Sequence, residues 1–159
     1  MWRPFTSLHC VQGRSLRVSG VIAPHGAPRR LLEAWYAGQF TMVTSEDIIA
    51  EVTHVLRYPR ICGRYNLTED DIAVVVDSLS TDAEVVAGLY EVRRSADPTD
   101  DLFLVCALEG RAEYIVSGDR HLLGTGSYHG VLIVTPRQFA AVLDAGDDLV
   151  AEARLSSRV

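Results

Sequence analysis

Residues 97–119 read DPTDDLFLVCALEGRAEYIVSGD, and this stretch decides the fold class. Three aspartates precede an apolar segment that predicts a helix over 101–109, and EYIVS at 113–117 then predicts a short strand. Gly118 supplies a turn after the strand, and Asp119 closes the stretch. A helix followed directly by a β-rich run is the unit from which parallel α/β sheets are built.

The same alternation of helices and β-rich runs extends outward through the chain. Helices are predicted over 27–37, between Ser45 and Pro59, after Thr68 and after Thr135, and strands over 40–44, 83–86 and 131–135. Thr68 with Asp71, and Thr135 with Gln138, have the spacing of capping boxes, and Ser45 can cap the helix after it. We therefore predict an α/β fold, a three-layer α/β/α sandwich with a central, mostly parallel sheet.

The length of 159 residues fits one domain with a substantial hydrophobic core. The chain is 48% hydrophobic and 23% charged, which is the composition of a globular protein and excludes a disordered chain. No apolar run approaches the ~20 residues of a membrane span, so no membrane partner is expected. We place a single domain over 1–145, with an atypical first strand at 8–18, and a polar C-terminal tail over 146–159 that is expected to fray.

Cysteine usage and charge bear on location and partners. Cys10, Cys62 and Cys106 are widely spaced, which favours reduced thiols and a cytoplasmic protein. The net charge is -6, yet residues 1–65 hold eight arginines and four acids, whereas residues 66–159 hold seven arginines and seventeen acids. A local positive field allows an acidic protein to bind nucleic acid, and arginine suits phosphate. The alternative of scattered, solvated arginines stays open.

Three acids from distant parts of the chain are predicted to meet at the carboxyl ends of the strands, where open parallel sheets carry their sites. Asp119 lies just past the strand that ends near Ser117, and Asp100 opens the helix before that strand. Glu51 lies inside the helix that follows strand 40–44. Clustered carboxylates repel one another unless a cation binds, and Mg²⁺ or Mn²⁺ prefers oxygen ligands.

Each of these acids also has an ordinary structural interpretation. Asp100, or its neighbour Asp101, can cap a helix, and Asp119 can form a turn. Glu51 can be a solvated helix residue. For each acid considered alone, the structural interpretation is favoured. For the three acids together, their position at one edge of the sheet favours a metal site.

Five motifs in this order resemble the PIN-domain proteins, in particular the bacterial branch of toxin components of toxin–antitoxin pairs. They are PRRLLEAW, SEDIIAEVTHVLRYPR, DPTDDLFLVCAL, AEYIVSGDRHLL and GVLIVTPRQF, and the resemblance runs from about residue 11 to residue 143. PIN domains are Mg²⁺- or Mn²⁺-dependent ribonucleases with three or four clustered acids. The resemblance therefore implies an endoribonuclease that acts on RNA, pairs with a cognate antitoxin protein and forms a homodimer.

The resemblance also implies roles for particular residues. Glu51 matches the helix glutamate of the family, and Asp100 matches the aspartate before the FLVCA helix, with Asp101 beside it. Asp119 matches the aspartate of the family's T/S-x-D turn, with Ser117 as the neighbouring hydroxyl. Glu51, Asp100 and Asp119 are thus the expected catalytic residues and metal ligands, and Asp101 is a further candidate ligand.

The first strand departs from the family pattern, in which this strand ends in Asp-Thr-Asn. Registering VSGVI at 18–22 on the family's next run puts Gly13 in the Asp slot, Arg14 in the Thr slot and Ser15 in the Asn slot, as a supporting residue. The first 32 residues contain no Asp or Glu that could substitute. Losing a catalytic group commonly costs ~10²–10⁴-fold in rate, so the nuclease is expected to be weakened or inactive.

Three alternatives remain beside this expectation. The chain could be a catalytically dead PIN domain that binds RNA or an antitoxin. GTGSYHG at 124–130 is a poor nucleotide loop, because it precedes a strand and does not read GxGxxG. No GxSxG elbow supports a hydrolase, and of the histidines only His121 lies next to the proposed site.

Overall fold

The structure, a computed structural model, describes residues 8–12, 25–90 and 98–156, with side chains described through residue 146 except at 98 and 99. Within these ranges six strands form one sheet: β1 His9–Gln12, β2 Thr41–Ser45, β3 Glu84–Val86, β4 Tyr114–Val116, β5 Ser127–Tyr128 and β6 Val131–Val134. Their order is β3-β2-β1-β4-β6-β5. Only the β5–β6 pair is antiparallel, so the predicted mostly parallel sheet is confirmed.

The same ranges contain seven helices: α1 Ala27–Tyr36, α2 Glu46–Leu56, α3 Pro59–Cys62, α4 Glu69–Thr81, α5 Pro98–Glu109, α6 Arg120–Thr125 and α7 Pro136–Ser156. Val11 and Val43 are register partners and share one face of the sheet, where Gly110 at the end of α5 abuts Val43. Tyr114 contacts Phe139 of α7 on the opposite face. Helices therefore cover both faces, which confirms the three-layer sandwich.

Local hydrogen bonds begin the helices where the sequence predicts. The Ser45 hydroxyl accepts from the Ile48 N–H at 3.3 Å and caps α2. In the capping box of α4, the Thr68 N–H donates to the Asp71 carboxylate at 2.8 Å, and the Thr68 hydroxyl accepts from the Asp71 N–H at 3.1 Å. The bonds from the Thr68 N–H and hydroxyl lower the pKa of Asp71. A second box, Thr135 with Gln138, begins α7.

The structure differs from the sequence prediction at three helices, of which α6, directly after Asp119, was not foreseen. α7 continues past residue 146 to Ser156, where a polar tail was expected. Alanine, leucine and glutamate are strong helix formers whether or not they are buried, and Gly146 alone costs only about 1 kcal/mol. α2 ends before Pro59 as predicted, but Pro59 then opens the short α3, which was not foreseen. The division of the chain at residue 145 stays a prediction.

Three further observations concern the rest of the predictions. β1 covers His9–Gln12 of the predicted first strand at 8–18, whereas Gly13, Arg14 and Ser15 lie outside the described residues. Cys10 and Cys106 are buried and Cys62 is half-buried, and none of the three forms a disulfide among the described residues. None of the helices in the described ranges is both long and apolar enough to cross a bilayer.

Candidate functional site

The carboxyl ends of three adjacent strands form the candidate site, and we call this region the carboxyl edge. It is defined by Gln12 at the end of β1, Ser45 at the end of β2 and Val116 at the end of β4. β1 lies between β2 and β4, so the chain that leaves β1 starts at the centre of this edge. Gln12 therefore lies at the centre of the edge at which parallel α/β sheets carry their sites.

Hydrogen bonds hold Asp119 in a defined position just past β4. The Ser117 N–H donates to the Val134 carbonyl at 2.9 Å, which extends the pairing of β4 with β6. The buried Ser117 hydroxyl accepts from the Asp119 N–H at 3.0 Å. Asp119 Oδ1 accepts from the His121 N–H at 2.8 Å and caps α6. Asp119 thus fills its ordinary structural role, while Oδ2 has no hydrogen bond to the described residues.

Asp100 is the most unusual acid at the carboxyl edge. It lies in the first turn of α5 and is only 6% exposed, whereas its neighbour Asp101 is half-buried. Aspartate is almost never this buried unless it has a partner, and the N-terminal end of a helix favours a negative charge. Both aspartates do take part in interactions in the structure. Burial therefore singles out Asp100 as a carboxylate that the fold holds in one place.

Glu51 is half-buried on α2, which begins directly after β2 at the carboxyl edge. Five residues separate Glu51 from the start of α2, which is about 8 Å along the helix axis. α2 packs against α5, the helix that begins beside Asp100. The topology therefore puts Glu51, Asp100 and Asp119 on elements that converge at the carboxyl edge.

A divalent cation is the cofactor that the carboxylates would suit, because Mg²⁺ and Mn²⁺ bind carboxylate oxygens. Nevertheless, no three His, Cys, Asp or Glu side chains among those described lie close enough to hold one ion. The fit is therefore incomplete. The residue after Gln12 is Gly13, which adds no carboxylate at the centre of the edge. The assignment of Glu51, Asp100 and Asp119 as ligands stays a prediction.

Gln12 is a feature of the carboxyl edge that sequence reasoning missed. It is 3% exposed, and its side-chain Nε2 has no hydrogen-bond partner among the residues that the structure describes. Side chains alternate along β1, so Gln12 lies on the face opposite Val11, which is the face that α7 covers. The only signal in the sequence was a glutamine at the end of a short apolar run.

Replacing Gln12 with leucine is expected to raise the free energy of unfolding by about 1–2 kcal/mol, because a buried amide without a partner loses its hydration. Leucine has a similar size and removes the unpaired donor. Urea unfolding of the wild type and the Gln12→Leu variant measures the difference. Gln39→Leu is the matched control, since Gln39 is exposed and its replacement should change stability by less than about 0.5 kcal/mol. A Gln12→Leu variant less stable than the wild type would show that the amide is satisfied in solution.

Comparisons with known proteins agree with the fold. A family model described as PIN domain matches residues 15–121. Among solved structures, a chain of VapBC2 from Rickettsia felis, crystallised with a DNA fragment from its promoter, has the same fold with a TM-score of 0.52. The sequence identity is 13%, and the match covers 79% of this chain and 97% of that chain. No curated protein sequence matches the chain.

Proposed function

Because the chain belongs to the PIN-domain family, we propose that it is a metal-dependent ribonuclease toxin of a toxin–antitoxin pair, weakened or inactive because Gly13 replaces the first-strand aspartate. One observation carries this proposal: the family match starts at Ser15. It therefore includes Glu51, Asp100 and Asp119, whereas β1 and Gly13 lie before its first residue. A chain that keeps the fold and loses one carboxylate is expected to lose rate before it loses structure.

The proposed catalytic residues are Glu51, Asp100 and Asp119, with Mg²⁺ or Mn²⁺ as the cofactor and Asp101 as a further ligand. When bound, such an ion supplies an activated water and stabilises negative charge on phosphate oxygens. The burial of Asp100 supports its assignment, because a fixed carboxylate binds a cation without first being ordered. Ser117 supports the site by holding the backbone of Asp119 through its hydroxyl.

The proposed partners are RNA as substrate and an antitoxin protein as inhibitor. Support for the antitoxin comes from VapBC2 of Rickettsia felis, which has the same fold and was crystallised on its promoter DNA. A homodimer and a cytoplasmic location are further parts of the proposal. The three free thiols are compatible with a reducing compartment.

The second candidate function is a catalytically dead PIN domain that binds RNA or an antitoxin. It is favoured by the lack of a three-ligand group among the described side chains together with the glycine at position 13. The two candidates make the same prediction for fold and partners. They differ in cation binding and in cleavage.

Calorimetric titration of Mn²⁺ into the protein, followed by an RNA cleavage assay, separates the candidates. We expect weak binding to the wild type and at least about 10-fold weaker binding to Asp119→Asn, because one ligand charge is lost. Asparagine is as good a helix N-cap as aspartate, so this variant should keep α6 intact. Binding that Asp119→Asn leaves unchanged would contradict the assigned site. No binding to either protein, with no cleavage, would favour the dead domain.

A further inference from the structure

A second surface, at the opposite end of α2 from the carboxyl edge, carries concentrated positive charge and exposed rings. We call it the basic aromatic surface, and it consists of His54, Arg57, Tyr58, Arg60, Arg64 and Tyr65. No Asp or Glu occurs between Glu51 and Glu69, so this part of the sequence is positive in a chain whose net charge is -6. All six side chains are exposed, with Tyr58 at 44% and Tyr65 at 40%.

The rings and cations of this surface are held in position by local contacts. The His54 and Tyr58 rings meet edge to face with centroids 4.9 Å apart. The Arg64 guanidinium carbon lies 5.6 Å from the centroid of the Tyr65 ring. Pro59 begins α3 between the His54–Tyr58 pair and the Arg64–Tyr65 pair. The half-buried Ile61 packs α3 against the core. The surface is thus preorganised, which reduces the entropy lost when a ligand binds.

Ion pairing distinguishes Arg60 and Arg64 from Arg29 and Arg30. Arg29 pairs with Glu33, and Arg30 pairs with Asp144. By contrast, Arg60 and Arg64 form no ion pair within the part of the chain that the structure describes.

Arg57 is intermediate between these two groups. Its Nη2 lies 3.0 Å from a carboxylate oxygen of Glu69, and the two side chains are 56% and 71% exposed. Such an exposed ion pair contributes little to stability, and another anion can take the place of the Glu69 carboxylate. The basic aromatic surface therefore offers up to three guanidinium groups to a ligand.

We infer that the basic aromatic surface binds single-stranded RNA, with the arginines on phosphates and the tyrosines stacked on unpaired bases. Guanidinium groups match phosphate geometry, and exposed aromatic rings stack on the faces of any base that is not paired. Exposed rings among the cations favour a strand with free bases over a plain acidic peptide. The choice of RNA rests on the proposed function.

The position of the surface also suits a substrate strand. α2 has 11 residues and joins the surface to the carboxyl edge, a span of about 16 Å. Single-strand sites commonly cover about 4–16 nucleotides, so one strand can occupy both ends of α2 at once. The surface would then hold the strand while the carboxyl edge acts on it.

Fluorescence anisotropy with a labelled 12-nucleotide oligouridine tests this inference, in EDTA so that binding is read without cleavage. We expect the Arg60→Gln/Arg64→Gln variant to bind at least about 10-fold more weakly. Its slope of log K against log salt should fall by about 1.4, because each phosphate contact on a single strand contributes about 0.7. Tyr65→Ala should also weaken binding about 10-fold, with little change in the salt slope, because stacking is lost.

Arg29→Gln/Arg30→Gln is the matched control, because it removes the same charge from arginines that already have acidic partners. Equal weakening by both double variants would show that only net charge matters and would overturn the inference. RNA binding by Arg60→Gln/Arg64→Gln that is as tight as that of the wild type would also overturn the inference. If this variant keeps RNA binding but loses binding to polyglutamate, the ligand of the surface is an acidic protein, and the inference is overturned.

Failure of the inference and failure of the proposed function are distinguishable. RNA binding that depends on Arg60 and Arg64, without cleavage in Mn²⁺, supports the basic aromatic surface and counts against an active nuclease. If Arg60→Gln/Arg64→Gln cleaves RNA in Mn²⁺ and binds it with unchanged affinity, the result supports an active nuclease and counts against the basic aromatic surface. Unfolding midpoints of Arg60→Gln/Arg64→Gln and Tyr65→Ala should match the wild type, because these three side chains are exposed.

Discussion

The Gly13→Asp variant is expected to cleave RNA about 100-fold faster than the wild type, or more, since a missing catalytic group commonly costs ~10²–10⁴-fold. Gly13 lies outside the described residues, but it directly follows Gln12, the last residue of the central strand β1. A carboxylate there joins Asp100 and Asp119 from neighbouring elements and adds a negative charge where a cation would bind. Single-turnover cleavage in Mn²⁺, with calorimetric Mn²⁺ titration, measures the gain.

Two controls separate a restored ligand from a general effect at position 13. Gly13→Asn has nearly the same shape as the aspartate variant without its charge, so it should stay near the wild-type rate. Gly13→Asp/Asp119→Asn should lose most of the gain, because residues that act as one unit are not additive. A Gly13→Asp variant that binds Mn²⁺ no better and cleaves no faster than the wild type would contradict the proposal that position 13 has lost a metal ligand.

The Gly110→Ala variant is expected to lower the free energy of unfolding by about 3 kcal/mol, near the upper end of the usual cost of overpacking. Gly110 follows α5, and a Cβ at this position would lie 2.3 Å from Val43 Cγ1 and 3.2 Å from the Cys106 carbonyl oxygen. Val43 is fully buried in β2 and has no space to move into. Thermal and urea unfolding measure the loss.

Two further variants test whether the close contact with Val43 is the cause. Gly110→Ala/Val43→Ala should be less destabilised than the sum of the two single variants, by about 1 kcal/mol or more, because the colliding methyl group is gone. At Gly124 a Cβ would meet nothing within 4 Å, so Gly124→Ala should leave stability unchanged or slightly higher. Equal stability of the Gly110→Ala and Gly124→Ala proteins would contradict the packing of α5 on β2.

Much of the fold could be predicted from the sequence because its causes are local. The caps at Ser45, Thr68 and Thr135 depend on side chains that reach backbone groups three residues away. Segments with helical spacing of apolar residues alternate with β-rich runs, and this alternation predicted the parallel sheet and both helical layers. The short α3 and the long C-terminal part of α7 were missed, because proline and polar residues are compatible with a helix as well as with its end.

The candidate site could be predicted only in part. Chain order and the carboxyl-end rule were enough to propose Glu51, Asp100 and Asp119 for one edge of the sheet. They could not reveal that Asp119 Oδ1 accepts a hydrogen bond from the His121 N–H, or that Asp100 is almost fully buried from solvent. Hydrogen bonding and burial of individual atoms depend on packing, which composition and spacing do not encode position by position.

The sequence by itself determined the layered α/β architecture and the caps that begin three of the helices. Only the tertiary structure decided which charges remain available to a ligand. Arg30 pairs with Asp144, a residue 114 positions away, whereas Arg60 and Arg64 form no ion pair among the described residues. The reason is physical: helix caps and periodicity act over a few residues of chain, while ion pairs and burial depend on distances that exist only after the chain has folded.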